Sequence, residues 1–436
     1  MLDIATQATR QLAVATPFGE DVLLLRKFHG REQISQLFAY ELEMLSASDS
    51  LDPNVIVGQN VTWLMNQGEH EPRFFNGYVS RFQYVNQNDH GTVYRASIVP
   101  WLWFLTKTRD CRIFQHQHVQ QIITQIFENL GFKDYKWQLS GSYESHEYCV
   151  QYRESDMEFV SRLLEEEGIF FYCVHENGKH NIVLADAATE YLKLSEFEVE
   201  YADPDSTGDL GDQITQWEHH YEFRPGRWAQ TDYNFKTPHH SLMSGEKSVV
   251  GWANIDNYEI YDYPGRFHDS PGGRQRTRVR MEEHELDHDT ASGQSTYRGF
   301  APGGYFHITS HRSAAEVNRK YVLTSVEMSA SVAGSYDVNL CDGGGEEFHF
   351  RNRFRCIPAE TAFRPARATP RPIVEGPQTA VVVGPPGEEI YPDEFGRVKV
   401  QFHWDREGNF DENSSCWMRV SQTHAGAGSP ATNIRW

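Results

Sequence analysis

One short motif in the sequence has the residue types and the spacing of a catalytic centre. His284-Glu285-Leu286-Asp287-His288 fits the pattern H-E-x-x-H. On a helix, the two histidines of this pattern lie on one face and bind zinc, and the glutamate acts as a general base on a bound water. Glu316, further along the chain, is the candidate third ligand. The motif therefore offers one hypothesis, a zinc metallopeptidase.

The residues around this motif argue against a zinc site. Residues 280–283 carry three charges and Asp289 follows the motif, whereas the helix of a metallopeptidase usually has apolar flanks that hold the ligands in place. We therefore interpret the histidines as surface residues, and we predict no catalytic residue, no cofactor and no bound metal. The metallopeptidase that would use His284, Glu285 and His288 is kept as an alternative.

The composition excludes two further classes of function. The net charge is −21, and an acidic surface repels phosphate backbones, so we expect no nucleic-acid partner. The apolar runs are only a few residues long, and a spanning helix needs about 20, so we expect no stable membrane insertion. The first residues have neither the basic nor the apolar stretch of a secretory signal, and we expect none.

Most of the chain has the pattern of β-strands. Apolar residues alternate with polar ones from Phe38 to Met44, from Tyr94 to Ile98, and at Val322, Thr324, Val326 and Met328, as expected for strands with one buried face. Gly77 lies inside a strand pattern and predicts a bulge or a barrel corner. The predicted fold class is mainly β with a few α-helices.

Three segments have helical patterns instead. Apolar residues at helical spacing predict a helix from about His118 to Leu130, with Gly131 as its C-terminal cap. Ser155-Asp156-Met157-Glu158 is a capping box that begins a second helix, which Gly168 ends. Residues 165–167 are three glutamates at its C-terminal end, which we interpret as a solvated end in preference to a contact surface. A third, strongly charged helix is predicted over 274–289.

The C-terminal part is divided from the rest by prolines. Five of them occur in residues 358–377 and predict an extended connector. Strands are predicted from Thr379 to Val383, from Arg397 to Trp404 and at Cys416–Val420, as in a small barrel of the OB type. The sequence ends at Trp436 after three or four strands, so we expect a partial OB-fold here.

The same region resembles a known family, the VgrG spike proteins of type VI secretion. The resemblance is carried by the run Gly396-Arg397-Val398-Lys399-Val400-Gln401-Phe402-His403-Trp404-Asp405 with Ser414-Ser415-Cys416-Trp417. Upstream blocks agree with it over essentially the whole chain: Tyr152-Arg153-Glu154-Ser155-Asp156, Phe223-Arg224-Pro225-Gly226, Asp232-Tyr233-Asn234-Phe235, Tyr261-Asp262-Tyr263-Pro264-Gly265 and Phe363-Arg364-Pro365. The family usually has Trp at His424 and continues the barrel after Gly428, so this chain departs from the pattern there.

The resemblance implies phage tail hub-like β-barrels followed by the partial OB-fold. It divides the chain into a first hub barrel (1–105), a helix-containing insert (106–185), a second hub barrel with an inserted helix (186–357), the connector (358–377) and the OB-type neck (378–436). A hub of a phage or prophage tail, with a similar architecture, is a second alternative function.

The resemblance also implies partners and a location. The protein would be a structural homotrimer with no enzymatic activity, which docks on an Hcp-like hexameric tube and meets baseplate proteins. A PAAR-like tip protein would bind through a C-terminal needle. The protein would fold in the cytoplasm and be exported by the type VI apparatus, helping to puncture a target membrane and deliver effectors.

Overall fold

The computed structural model describes residues 6–8, 10–67, 70–88, 91–202, 211–333 and 347–421. The chain forms two compact units. One comprises Met1–Phe104, Gly131–Ser142 and Leu164–Arg367, and the other comprises Leu105–Leu130, Tyr143–Leu163 and Ala368–Trp436. These units group the residues differently from the five predicted segments, which stay a prediction. His424 and the chain end beyond Gly428 lie outside the described residues.

The N-terminal strands form a barrel-like layer around an apolar core. They lie in the spatial order β1-β4-β5-β6-β3-β2 and all neighbours are antiparallel; their bounds are β1 Leu12–Ala15, β2 Leu24–Gln33, β3 Ala39–Ser46, β4 Asn60–Gln67, β5 His70–Asn88 and β6 Gly91–Val99. The Gln7 side chain accepts from the Val14 N–H at 2.9 Å and donates to the Leu23 carbonyl at 3.4 Å, so it bridges β1 to the start of β2.

The next segment contains two of the predicted helices. Its elements are β7 Arg109–Phe114, α1 Val119–Asn129, β8 Tyr135–Gln138, β9 Cys149–Ser155, α2 Asp156–Glu167, β10 Phe170–Glu176 and β11 Lys179–Ala185. β7 pairs with β9, while β10, β11 and β8 form a separate three-stranded sheet. α1 is confirmed, with Gly131 at φ +82° after it. The capping box is confirmed too, because the Ser155 N–H donates to the Glu158 carboxylate at 2.7 Å.

A second set of strands closes into a barrel. The bounds of this region are β12 Leu192–Glu200, β13 Ile214–Tyr221, β14 Arg227–Gln230, β15 Ser244–Lys247, β16 Glu259–Asp262, α3 Ser270–Glu285, β17 Asp289–Ser295, β18 Gly304–Ser310, β19 Lys320–Ala333 and β20 Glu347–Pro358. The barrel order is β12-β18-β19-β20-β17-β13, and a bridge between Tyr201 and Ile214 returns to its start. β14, β15 and β16 form a small sheet beside α3.

The C-terminal unit contains three described strands of the predicted OB-type barrel. β21 Ala380–Val382, β22 Arg397–Phe402 and β23 Cys416–Arg419 form an antiparallel sheet. Closure of this sheet into a barrel stays a prediction. None of the helices among the described residues is long and apolar enough to cross a bilayer.

The β-bulges of β19 and β5 lie at positions that the sequence did not predict. A register shift between Leu323 and Ser325 turns β19 over, so Val322 packs in a different core from Val326. In β5 the ladder is regular at Gly77, and the shift falls at Ser80. Gly77 is required by close packing instead, since a Cβ there would lie 2.5 Å from Ile98 Cγ2.

The end of α2 is a contact surface, contrary to the predicted solvated end. Arg276 donates to the Glu166 carboxylate at 2.7 Å and to the Glu167 carboxylate at 2.9 Å, and Arg280 donates to the Glu165 carbonyl. Arginines at the C-terminal end of a helix offset both the glutamates and the negative end of the helix dipole. The sequence separation of more than a hundred residues hid this pairing.

Candidate functional site

The H-E-x-x-H residues lie where α3 ends against the small sheet. The helix was predicted over 274–289, but it begins at Ser270, where the Asp269 side chain accepts from the Gly272 N–H at 2.8 Å, and it ends at Glu285. The His284 ring stacks on Trp228 of β14 with ring centroids 4.9 Å apart. This histidine is therefore a packing residue of the helix–sheet contact.

Glu285 and His288 also have structural partners. The buried Glu285 carboxylate accepts from the Val249 N–H at 2.7 Å, and burial raises its pKa. Residues 286–288 form a 3₁₀ turn, so His288 is no longer on the helical face of His284, and its Nδ1 lies 2.7 Å from the Glu285 carbonyl oxygen. Across the described ranges, no group of three or more His, Cys, Asp or Glu side chains is arranged to hold a metal. This geometry gives the zinc hypothesis no support.

Glu316, the candidate third ligand, belongs to a different cluster on the second barrel. Its carboxylate lies 2.7 Å from His219 Nδ1, while His219 Nε2 lies 2.7 Å from the Asp289 carboxylate. Both ring nitrogens of His219 are therefore within hydrogen-bonding distance of a carboxylate. Arg319 and Tyr321 complete the cluster by donating to Asp289 and Glu316. The cluster links β13 to Asp289 of β17 and, through Glu316, to Tyr321 of β19, and the sequence did not predict that these residues meet.

A second polar network lies inside the first barrel. The buried Glu32 carboxylate accepts from the Tyr40 hydroxyl and lies 3.3 Å from His175 Nε2. The His180 Nε2 accepts from the Trp101 N–H at 3.0 Å, and burial with nearby His175 lowers the pKa of His180 to about 3, so its ring is neutral. These bonds attach β10 and β11 to the barrel.

The region between β13 and α3 exposes aromatic side chains. Phe223 packs between Trp252, with ring centroids 5.9 Å apart, and Tyr258, at 5.1 Å. Phe223 and Tyr258 are half or more exposed, as are Tyr261 and Tyr263. Surface aromatics of this kind are enriched at protein–protein interfaces. Two blocks that carried the sequence resemblance, Phe223–Gly226 and Tyr261–Gly265, therefore lie at the surface.

Two strands also have open edges. β5 pairs with β6 along residues 81–88, and within the described parts of the chain no strand pairs with its opposite edge there. β13 pairs with β17, and of its opposite edge only Ile214 is bridged among the residues described. Unpaired backbone N–H and C=O groups on a strand edge are templates for pairing with another chain.

Comparison with known proteins agrees with the barrel architecture. Residues 31–334 match the family described as phage tail baseplate hub (GPD). The chain belongs to the phage tail baseplate hub family. This hub protein is also 40% identical over 423 residues to the type VI secretion system spike protein VgrG1c of Pseudomonas aeruginosa, and 40% identical over 421 residues to VgrG1a of that organism.

The matches cover the hub protein almost completely but its relatives only in part. They span 97% and 96% of this chain, but 57% of VgrG1c and 64% of VgrG1a. Among solved structures, the fold of the hub protein is similar to that of the Escherichia coli protein c3393, described as a component of the type VI secretion system. The TM-score is 0.65 with 20% identity, and 95% of this chain and 96% of that chain are covered.

Proposed function

We propose that this hub protein is a structural component of the spike of a type VI secretion apparatus and has no enzymatic activity. The observation that carries the proposal is the 40% identity, over nearly the whole chain, to proteins named as type VI spike proteins. The packing of the H-E-x-x-H residues supports it, because His284 and Glu285 contact Trp228 and the Val249 amide instead of converging on one point.

The proposed assembly is a homotrimer that docks on a hexameric, Hcp-like tube. Each chain contributes two barrel-like layers of six strands, so three chains would present six such layers and match the symmetry of a six-membered ring. Antiparallel sheets curved into barrel-like layers suit a part that transmits force, since neighbouring strands satisfy most of each other's backbone hydrogen bonds. Contacts with baseplate proteins and a PAAR-like tip protein, membrane puncture, effector delivery and export without a signal peptide belong to the same proposal.

A phage or prophage tail hub is the second candidate function. The family name favours it as much as a secretion role, because the family is that of phage baseplate hubs. The identity to type VI spike proteins favours secretion. A tube protein from each kind of apparatus separates the two.

The test is binding of the purified chain to preassembled tubes. We expect the chain to co-sediment with tubes of a type VI Hcp protein. With tubes of a phage tail protein, we expect the tubes in the pellet and the chain in the supernatant. Light scattering over a concentration series gives the mass of the free chain, expected to reach a trimer. Binding to the phage tubes alone would assign a viral role, and a strict dimer would contradict the symmetry.

A further inference from the structure

The two barrels of this chain repeat one strand order. Numbered within each barrel, both have the spatial order first, fourth, fifth, sixth, third, second: β1-β4-β5-β6-β3-β2 and β12-β18-β19-β20-β17-β13. The first strands differ in direction, because β1 is antiparallel to β4 and β12 is parallel to β18. The remaining five strands correspond one to one, which makes equivalent positions in the two barrels identifiable.

A bulge fixes the correspondence of the fifth strands. β5 leaves β4 after Tyr78 and has a bulge at Ser80, and β19 leaves β18 after Val322 and has a bulge at Thr324. Each bulged hydroxyl donates to a carbonyl of the sixth strand, Ser80 to Ser97 at 3.0 Å and Thr324 to Arg355 at 3.2 Å. Phe82 is therefore equivalent to Val326.

A second bulge fixes the correspondence of the second strands. In β2 the ladder to the third strand skips Arg26, and in β13 it skips Thr215. Two residues after each bulge an aromatic side chain, Phe28 or Trp217, packs on the core. Counting from the bulges, Tyr221 is equivalent to Glu32.

The barrels join at one seam, where β2, the second strand of the first barrel, pairs with β19, the fifth strand of the second. Glu32 stands opposite Val326 in this seam. The equivalent edges of the other two strands, β13 and β5, are the open edges described above. The chain therefore uses this strand pairing once internally, and the equivalent of each of the two paired edges is open elsewhere in the chain.

We propose that β13 of one copy pairs antiparallel with β5 of a second copy, in the register of the β2–β19 seam. This inference rests on the proposed trimeric hub, and it names the strands that join the subunits. Transferring the register places Glu222 of one copy opposite Arg81 of the second copy. In the same way, residues of the first copy lie opposite residues of the second at Tyr221 and Phe82, at His220 and Gln83, and at His219 and Tyr84. Val85 is skipped in the ladder to β6, so the transferred register ends at Tyr84.

The side chains at these positions complement one another. Glu222 and Arg81, both exposed, are of opposite charge, and directly opposite residues of a ladder point to the same face. Tyr221 would meet Phe82 on the other face as an aromatic pair. Burial supports the transfer: Glu32 is 3% and Met328 1% exposed in the internal seam, whereas their equivalents at the open edges, Tyr221 and Tyr84, are 64% and 55% exposed.

Such a contact uses two different edges, so it is heterologous and propagates from copy to copy. If the rotation at this joint repeats that of the internal seam, three copies close a ring of six barrels. Without closure the same contact would extend into a filament. The size of the assembly therefore tests the geometry as well as the pairing.

Disulfide crosslinking tests the register directly. Cβ atoms of opposite residues in a ladder are about 4.5–5.5 Å apart, close to the range that a disulfide bridges. We expect the variant with Arg81→Cys and Glu222→Cys to form covalent dimers and trimers under mild oxidation, with no larger species. Arg81→Cys with Glu218→Cys, on the same face but out of register, is the matched control and should crosslink no more than the unmodified chain. Crosslinking no stronger than this control, or a ladder of bands that continues beyond the trimer, overturns the proposal.

Charge reversal gives an independent readout that needs no new cysteine. Arg81→Glu and Glu222→Arg should each weaken trimer formation by roughly tenfold or more, since like charges then face each other, and the double reversal should restore it. Arg353→Glu, an exposed arginine on β20, is the control and should assemble normally. A trimer that resists both reversals overturns the seam and leaves the trimeric hub intact, whereas a chain that stays monomeric at every concentration and forms no crosslink overturns both.

Discussion

Replacing Glu285 distinguishes a structural carboxylate from a general base. A Glu285 carboxylate oxygen accepts from the Val249 N–H at 2.7 Å, in a part-buried bond between the end of α3 and the segment that follows β15. Hydrogen bonds to charged groups contribute roughly 1.5–3 kcal/mol, and removing the acceptor opens the amide of the exposed Val249 to water. Glu285→Ala should therefore speed hydrogen exchange of the Val249 amide by about 10- to 150-fold, because each 1.4 kcal/mol is about a factor of ten.

Glu285→Gln is the matched control because it keeps an acceptor oxygen. Burial raises the pKa of Glu285 above its ordinary 4.5. A raised carboxyl pKa means that its contribution to stability is complete below pH 4.5 and is lost as the pH rises through the folded value. The glutamine variant lacks this loss, so it should match or exceed the stability of the unmodified chain at neutral pH. A general base would give the opposite pattern, with lost turnover and unchanged exchange in both variants.

The assay is hydrogen-exchange mass spectrometry on peptides that contain Val249, run beside metal analysis of the purified protein. Unchanged exchange of that amide in Glu285→Ala would refute a structural role for the Glu285 carboxylate. Stoichiometric zinc that disappears in His284→Ala would restore the metallopeptidase hypothesis.

Three further predictions concern stability. Gly77→Ala should lower the free energy of unfolding by about 1–3 kcal/mol, because the added Cβ lies 2.5 Å from a neighbouring side chain. Denaturant unfolding measures this change, and an unchanged midpoint would contradict the prediction. Glu154→Ala leaves the buried Arg162 without the carboxylate to which its guanidinium donates at 2.6 and 2.8 Å. The free energy of unfolding should fall by about 3–5 kcal/mol. Hydrogen exchange of the β9 amides measures this, and exchange as slow as in the unmodified chain would argue against it. In the folded state, burial alone would raise the pKa values of Asp289 and Glu316, but their hydrogen bonds lower both below 3.8 and 4.5. The contribution of these two carboxylates to stability is therefore complete above their ordinary pKa values and is lost as the pH falls through the lowered pKa values. Hydrogen exchange of the β17 amides, followed during acid titration, should show this loss of stability, and Glu316→Gln should reduce it.

The sequence predicted local structure well where one short segment contains the whole signal. α1 is fixed by its apolar face, and α2 by a capping box within four residues. The phage tail hub-like class also followed from the sequence, through motifs that span most of the chain, and the family match confirms it. Strand alternation was predicted correctly from Phe38 to Met44, but it failed in β19, since a bulge inserts one residue and reverses every later side chain.

Tertiary structure alone decided everything that joins distant segments. Arg276 contacts the glutamates of α2, and His219 contacts Asp289 and Glu316. These residues are far apart in the sequence, so no local pattern predicts that they pair. The matching strand order of the two barrels, and the pairing of β2 with β19, are likewise visible only once the strands are in place. The physical reason is that helix caps and amphipathic faces are set by neighbours along the chain, whereas the order and register of a sheet are set by which strands meet across it.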